Sequence, residues 1–419
     1  MPFAARVSTA ARVSTAAGVS TAARVLAVLP LVLIVVLAAF LAFWRLDIAS
    51  WNLGELIYRE AGHRYLSGDY DYNREHPLLT KQLLGMSMAV LGDGRWGVRL
   101  LPALLGLTTG ILLVALGTRL GGFLVGVAAG AIWWLLPQAP GGLVGRLDRY
   151  GLLEPPALCL AVAALLAAWW WATSGRTPAA VLAGLAVGLA ASAKLVGVLI
   201  LPAVFLTMVW APRSLRVRVA QAAAALVAAA VGFLVPYLAS GDGWTDRMGY
   251  AVLRQQAHAE QGHMALVAGT LYLHPPWWAH LWWQQQYLGT IGVIALWMAT
   301  LALVLAWRAH RRAVILAAAA LLVPVLAITL SPLKLPHYHL AWAAPQALAA
   351  GFGLAAAWRR GGAWRLGAIA VVVALAVPVA DTVRTTATLQ PNDYAAAAQF
   401  LQNRHLDRST LLVQGYSHV

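Results

Sequence analysis

At 419 residues, 61% hydrophobic and only 11% charged, with a mean hydropathy of +0.71, the chain cannot be an ordinary soluble protein, because soluble domains carry about 25% charged residues. The composition is that of an all-α polytopic membrane protein. A net charge of +15 would suit a nucleic-acid binder were it clustered, and the single cysteine, Cys159, excludes an intrachain disulfide.

Residues 5–25 repeat ARVSTA, ARVSTA, AGVSTA and then ARV. This low-complexity, basic stretch reads as a disordered cytoplasmic extension over 1–24, or as the product of a misassigned start. The apolar run 25–44 has about the ~20 residues a spanning helix needs. No small-residue cleavage site follows it, so it reads as a signal anchor. Further apolar segments cover roughly 99–118, 121–137, 155–173, 178–193, 195–211, 217–238, 288–307, 313–331, 339–357 and 364–383. The reading is thus about 11 transmembrane helices within 25–383, followed by a tail at 384–419 that looks like a short helix and a strand, the start of an incomplete outer domain.

Charge placement sets the orientation. With the N-terminus in the cytoplasm, the inner segments hold fourteen basic residues, Arg119, Arg213 and Arg311 among them, and no acid, while all fifteen acids fall in or beside outer segments. Positive residues are retained on the cytoplasmic side. The excess charge therefore reports orientation and not nucleic-acid binding. The outer loops 45–98 and 239–287 are long enough for amphipathic helices along the surface, and 82–92 has the length of an interfacial helix.

The chemistry-bearing residues collect on that outer side. Trp51 to Lys81 holds five acids: Glu55, Glu60, Asp69, Asp71 and Glu75. Glu55, just past the first helix, is a candidate general base, or a solvated acid paired with Arg59 or Arg64. In NREHPLLTK, His76 and Lys81 sit at headgroup level, either on a phosphate or as a cap and a snorkelling lysine. DRYGLLEPP places Glu154 at the mouth of a membrane helix with Arg149 as its partner or as a phosphate clamp. A first-turn carboxylate also serves as a plain helix cap. Lys194, between two apolar stretches, either snorkels or meets an anion. His258 and His263 are five apart, so on a continuous helix they diverge, unlike the zinc pair of HExxH. The tryptophans of PPWWAHLWW form an interfacial belt or stack on a sugar, and SPLKLPHYH adds Lys334, His337 and Tyr338. No phosphate-binding loop or nucleotide fingerprint is visible.

Taken together these blocks resemble the membrane-embedded glycosyltransferases of the protein O-mannosyltransferase and aminoarabinose-transferase superfamily. The Glu55 region looks like the family's Asp-Glu motif, NREHPLLTK like its HPPLxK block, DRYGLLEPP like its Arg-to-acid block, and ASAKLVGVLILP like its Lys-x-x-Gly segment. The likeness covers about 45–350. Two places depart: Gly54 stands where the family has Asp, and Gln284 to Gln286 lie where a lysine is expected.

The resemblance implies a GT-C-type fold in the plasma membrane, part of cell-envelope chemistry. It implies inverting transfer of a sugar, mannose or a relative, from a polyprenyl-phosphate donor to a hydroxyl on protein, lipid or glycan. Glu55 would act as base, with Glu75 or Asp69 in reserve. Arg149, Lys194 and Lys334 or His337 would hold the phosphate, and Glu154 would position the sugar. No cofactor is required; a divalent metal is compatible with the acid cluster but not indicated. A transporter or flippase of lipid-linked sugars, and an inactive homologue, are the alternatives.

Overall fold

The computed structural model describes residues 21–49, 51–139 and 145–390, without the side chains of residues 21–28 and of Ala259. The expected extension through residue 20 and the tail from 391 lie outside the described residues. All eleven apolar segments are helical. They correspond to α1 (Thr21–Phe43), α4 (Arg95–Gly121), α5 (Phe123–Leu135), α6 (Glu154–Ser174), α7 (Thr177–Ala193) and α8 (Leu201–Leu206) with its flanking 3-10 turns. The remainder are α9 (Leu215–Leu238), α11 (Ala279–Leu301), α12 (Trp307–Leu330), α13 (Leu340–Arg360) and α14 (Gly362–Ala387). By length and composition six helical stretches are suited to cross a membrane, one of them the merged run Ala279–Leu330, and the other apolar helices are shorter. The protein is a multi-pass membrane protein, and the figure of eleven crossings rests on the sequence.

Between these lie α2 (Leu53–Leu66), α3 (Leu79–Leu91) and α10 (Trp244–Gln261), helices within the two long loops 45–98 and 239–287. One element was not expected. Residues Ala265–Val267 (β1) and Thr270–Tyr272 (β2) pair antiparallel, with Ala265 opposite Tyr272. The joining Ala268 and Gly269 both have positive φ, 50° and 81°, as a two-residue hairpin turn requires.

Helix α13 is the hub. It packs against α5, α11, α12 and α14, and 83% of its most apolar window is buried, against 22% for α14 at the periphery. Helices α7 and α9 pack closely because glycines face the partner backbone. A Cβ on Gly184 would collide with the Ala225 carbonyl, and one on Gly188 with that of Ala229. Lipid tails are as apolar as leucine, so helix association here relies on such backbone proximity. Helix α11 is broken at Gly289, with φ 70° and ψ 161°. Its first part carries His280 and Trp283, and the part after the break begins near residue 288, where the apolar segment begins in the sequence.

Candidate functional site

Helix α2 begins with a reciprocal cap. Asn52 accepts from the Gly54 N–H at 2.8 Å, while the Asn52 N–H donates to Glu55 Oε2 at 3.1 Å. Glu55 also receives both ends of the Arg99 guanidinium, each at 2.8 Å, and the Gly151 N–H at 2.9 Å. The pair is buried, and Arg99 further donates to the carbonyls of Leu46 and Ala49. An ionised carboxylate offers about four lone-pair positions. Here Nε of Arg99 and Gly151 N occupy Oε1, and Nη2 of Arg99 and Asn52 N occupy Oε2. Glu55 therefore joins α2, α4 and the loop before α6, and this geometry does not suit the expected base role.

Three other expected ligands are likewise turned to the backbone. Arg149 donates to the carbonyls of Leu41 (3.2 Å) and Trp44 (2.6 Å), capping α1 where the last carbonyls lack intrahelical partners. Lys81, fully buried, donates to the carbonyls of Asn73 and, at 2.8 Å, His76. Lys334 donates to those of Pro275 (3.0 Å) and Ser331. Each staples a loop to the helical body. Sequence cannot separate such cations from phosphate ligands, because both uses put a positive side chain at the membrane face.

What remains converges. Glu154 opens α6, with Pro155 in its first turn, and Lys194 closes α7 in an extended conformation. The two helices run antiparallel and adjacent, so these ends meet. Lys194 Nζ donates to Glu154 Oε1 in a buried ion pair, each charge complementing the dipole of its own helix. The turn Pro336–His339 brings His337 Nε2 to 3.6 Å from the same carboxylate oxygen and sets the Tyr338 ring 4.8 Å from Lys194 Nζ. Burial first and the Glu154 carboxylate second push the Tyr58 phenol up, and its ring meets His76 edge-on at 5.9 Å. Sequence reading missed Tyr58; its place one turn after Glu55 on α2 was the available signal.

The loop 67–78 forms the outer wall. Asn73 adopts φ 52°, and its amide donates to Glu75 Oε1 at 2.7 Å. Gln255 of α10 donates to the Glu75 carbonyl at 2.9 Å and lies 3.3 Å from His76 Nδ1. Burial, then the charges of Lys81 and Lys194, push the His76 imidazole from 6.5 down to about 3, so it is neutral at physiological pH. His258 and His263 do not diverge as expected. Helix α10 stops at Gln261 on the left-handed Gly262, φ 72°, which folds the two rings to 5.8 Å. Burial first and the neighbouring His263 second hold His258 below 6.5. Among the described residues no group of three or more His, Cys, Asp or Glu side chains is gathered to hold a metal ion.

Behind Glu154 and Lys194 a narrow groove opens into the apolar body. It is lined by Leu158, Val162, Leu165, Ile200, Pro324 and Pro345, among others. Its mouth is ionic and its walls are aliphatic.

The architecture has known counterparts. ArnT from Cupriavidus metallidurans in the apo state aligns with a TM-score of 0.62 at 16% identity, covering 95% of this chain and 84% of that one. Its undecaprenyl phosphate-bound form gives 0.64 at 20% identity, covering 90% and 73%. The archaeal oligosaccharyltransferase AglB from Archaeoglobus fulgidus, solved with an inhibitory peptide and a dolichol-phosphate, gives 0.55 at 12%, covering 93% and 59%. The fold is therefore that of the GT-C membrane proteins. Residues 75–237 match the family described as dolichyl-phosphate-mannose-protein mannosyltransferase. No curated protein matches the chain in sequence. The chain thus has the GT-C fold and, over residues 75–237, is similar to that mannosyltransferase family.

Proposed function

We propose that this protein transfers a monosaccharide from a polyprenyl-phosphate donor to a hydroxyl acceptor on the extracytoplasmic face, with inversion. The observation that carries this reading is the Glu154–Lys194–His337 cluster at the mouth of the apolar groove. A ligand with an anionic head and a long aliphatic tail matches both halves. The structural counterparts solved with undecaprenyl phosphate and with a dolichol-phosphate support the same ligand class.

In this reading Lys194 exchanges its carboxylate partner for the donor phosphate. Lys194 and His337 then face the leaving oxygen, where negative charge develops and a preorganised cation is most effective. Glu75 takes the part expected of Glu55. It is half-buried on the outer wall, and Oε1 has one side-chain hydrogen bond, from Asn73. Glu75 accepts the acceptor's hydroxyl proton, the acceptor oxygen bonds to C1 of the sugar, and the C1–O bond to phosphate breaks with its electron pair leaving on the lipid phosphate. Glu154, released from Lys194, orients the sugar hydroxyls. The sugar's energy is stored in the phosphodiester, so no nucleotide is needed.

The test uses protein in nanodiscs with radiolabelled polyprenyl-phosphate mannose and arabinose, following release of free lipid phosphate. Wild type releases it, Glu75→Gln abolishes release while retaining donor binding, and Lys194→Met weakens donor binding. Saturable donor binding without any release in the wild type would replace the transferase by a carrier of lipid-linked sugars.

A further inference from the structure

Helices α4 and α6 are neighbours whose beginnings share one carboxylate. Glu55 takes Arg99 from the start of α4 and the Gly151 N–H from just before α6. Their far ends border a common cavity of about 670 Å³, within the ~300–1,000 Å³ range of small-molecule sites. Leu112 and Arg119 line it from α4, and Ala163, Leu166, Ala167 and Trp170 from α6. None of these side chains belongs to the Glu154–Lys194–His337 cluster, which sits at the other end of α6.

The dimensions match one leaflet. From Ala163, midway along α6, to Thr173 in its last turn, the cavity follows ten residue steps, about 15 Å at 1.5 Å each. That is half of the ~30 Å hydrocarbon core of a bilayer. The apolar lining lies toward the middle of the helices, and the polar lining gathers at their ends. Arg119 stands in the last turn of α4, and Trp169 and Trp170 border the cavity near the end of α6, where amphipathic indoles settle at headgroup level.

The charge at that end is of one sign. Arg119 is exposed and has no hydrogen-bond or ion-pair partner in the protein among the described residues. Just beyond it, Arg359 donates to the Gly121 carbonyl at 2.8 Å, and just beyond Thr173, Arg213 donates to the Gly175 carbonyl at 3.0 Å. The inner segments that carry these arginines contain no acid. We propose that the cavity holds one anionic phospholipid of the leaflet that Arg119 faces, the cytoplasmic one in the assigned orientation. Its phosphate meets Arg119, and an acyl chain lies along Ala163 and Ala167. A second copy of the chain is disfavoured as occupant, because a two-fold contact here sets the same arginines against one another. The lipid is a structural ligand that ties together two helices whose opposite ends carry Arg99 and Glu154. Its binding is independent of glycosyl transfer.

Native mass spectrometry tests this on detergent-purified protein titrated with dioleoyl phosphatidylglycerol or dioleoyl phosphatidylcholine. Wild type retains one phosphatidylglycerol in preference to phosphatidylcholine, by about fivefold for one cation at the headgroup, and its melting temperature rises with the bound lipid. Arg119→Gln removes the preference. Arg216→Gln, which changes an exposed arginine of α9 outside the cavity, keeps it. Ala167→Phe fills the cavity and loses retention of both lipids. Equal losses in Arg119→Gln and Arg216→Gln would reduce the effect to general surface charge and overturn the site. Wild-type retention by folded Ala167→Phe would do the same. So would displacement of phosphatidylglycerol by a lower concentration of undecaprenyl phosphate, which makes a lipid carrier the occupant. Should Ala167→Phe fail to fold, Arg119→Gln decides alone, since it alters an exposed side chain, and an unchanged preference there overturns the proposal.

Discussion

At the scale of single residues, the decisive distinction is between charges that hold the frame and charges that face the groove. Glu55 and Arg99 are a buried, fully bonded pair. Removing one partner of such a pair costs about 3–5 kcal/mol, whereas replacing both by apolar groups often costs little. Glu55→Leu is thus expected to lower the thermal midpoint sharply, and Glu55→Leu combined with Arg99→Met to recover much of it. Calorimetry on the two variants checks this; equal midpoints would show that the pair carries no stability. His76 gives a pH signature. Its folded pKa, about 3, lies below its ordinary 6.5, so between those values the unfolded chain binds a proton that the folded one does not. Stability therefore rises with pH across that window and is lost as pH falls below about 6.5, by roughly 1.4 kcal/mol per unit. His76→Gln should flatten this part of the melting profile measured between pH 6.5 and 4.

At the scale of elements, α10 clamps the outer wall. Beyond Gln255, Arg247 reaches Asp71 at 3.3 Å, and the Arg74 guanidinium stacks over the Tyr250 ring at 4.2 Å. Gln255→Ala, which removes the bond to the Glu75 carbonyl, should speed amide exchange in 69–76 while leaving exchange within α13 unchanged. Exchange mass spectrometry reads both, and unaltered exchange in the loop would show that the clamp is dispensable. The α7–α9 seam makes a second prediction. Gly188→Ala places a methyl against the Ala229 carbonyl, and overpacking of this kind costs about 1–3 kcal/mol. A melting temperature equal to wild type would mean that the seam relaxes freely. Because α7 ends at Lys194, a shifted α7 should also weaken donor binding.

At the scale of the whole molecule, topology is the prediction. Single cysteines introduced at Arg213 or Arg311 in a Cys159→Ser background should react with impermeant maleimide only in inverted vesicles. Cysteines at Asp69 or Asp242 should react from the outside. Labelling of both sets from one side would break the assigned orientation, and with it the shared outer face on which the proposed chemistry depends. The helices themselves were legible because a run of apolar residues must form its hydrogen bonds internally in lipid, and the charge pattern was legible because translocation acts on each loop locally. The Gly289 break, the two-stranded hairpin and the left-handed Gly262 were not, since each depends on a single backbone conformation set by its neighbours.

The same division runs through the functional residues. Sequence by itself determined a multi-helix membrane body, and it singled out Glu75, His76, Glu154, Lys194, His337 and Tyr338 as candidates in its polar loops. Only tertiary structure decided which charges are spent on the frame and which face the groove. Glu55 meets Arg99 across 44 positions and Arg149 reaches Leu41 across 108, in the frame, while Lys194 meets Glu154 across 40 at the groove. The partner of a buried charge is selected by helix packing in space, and chain order says nothing of which helix ends become neighbours.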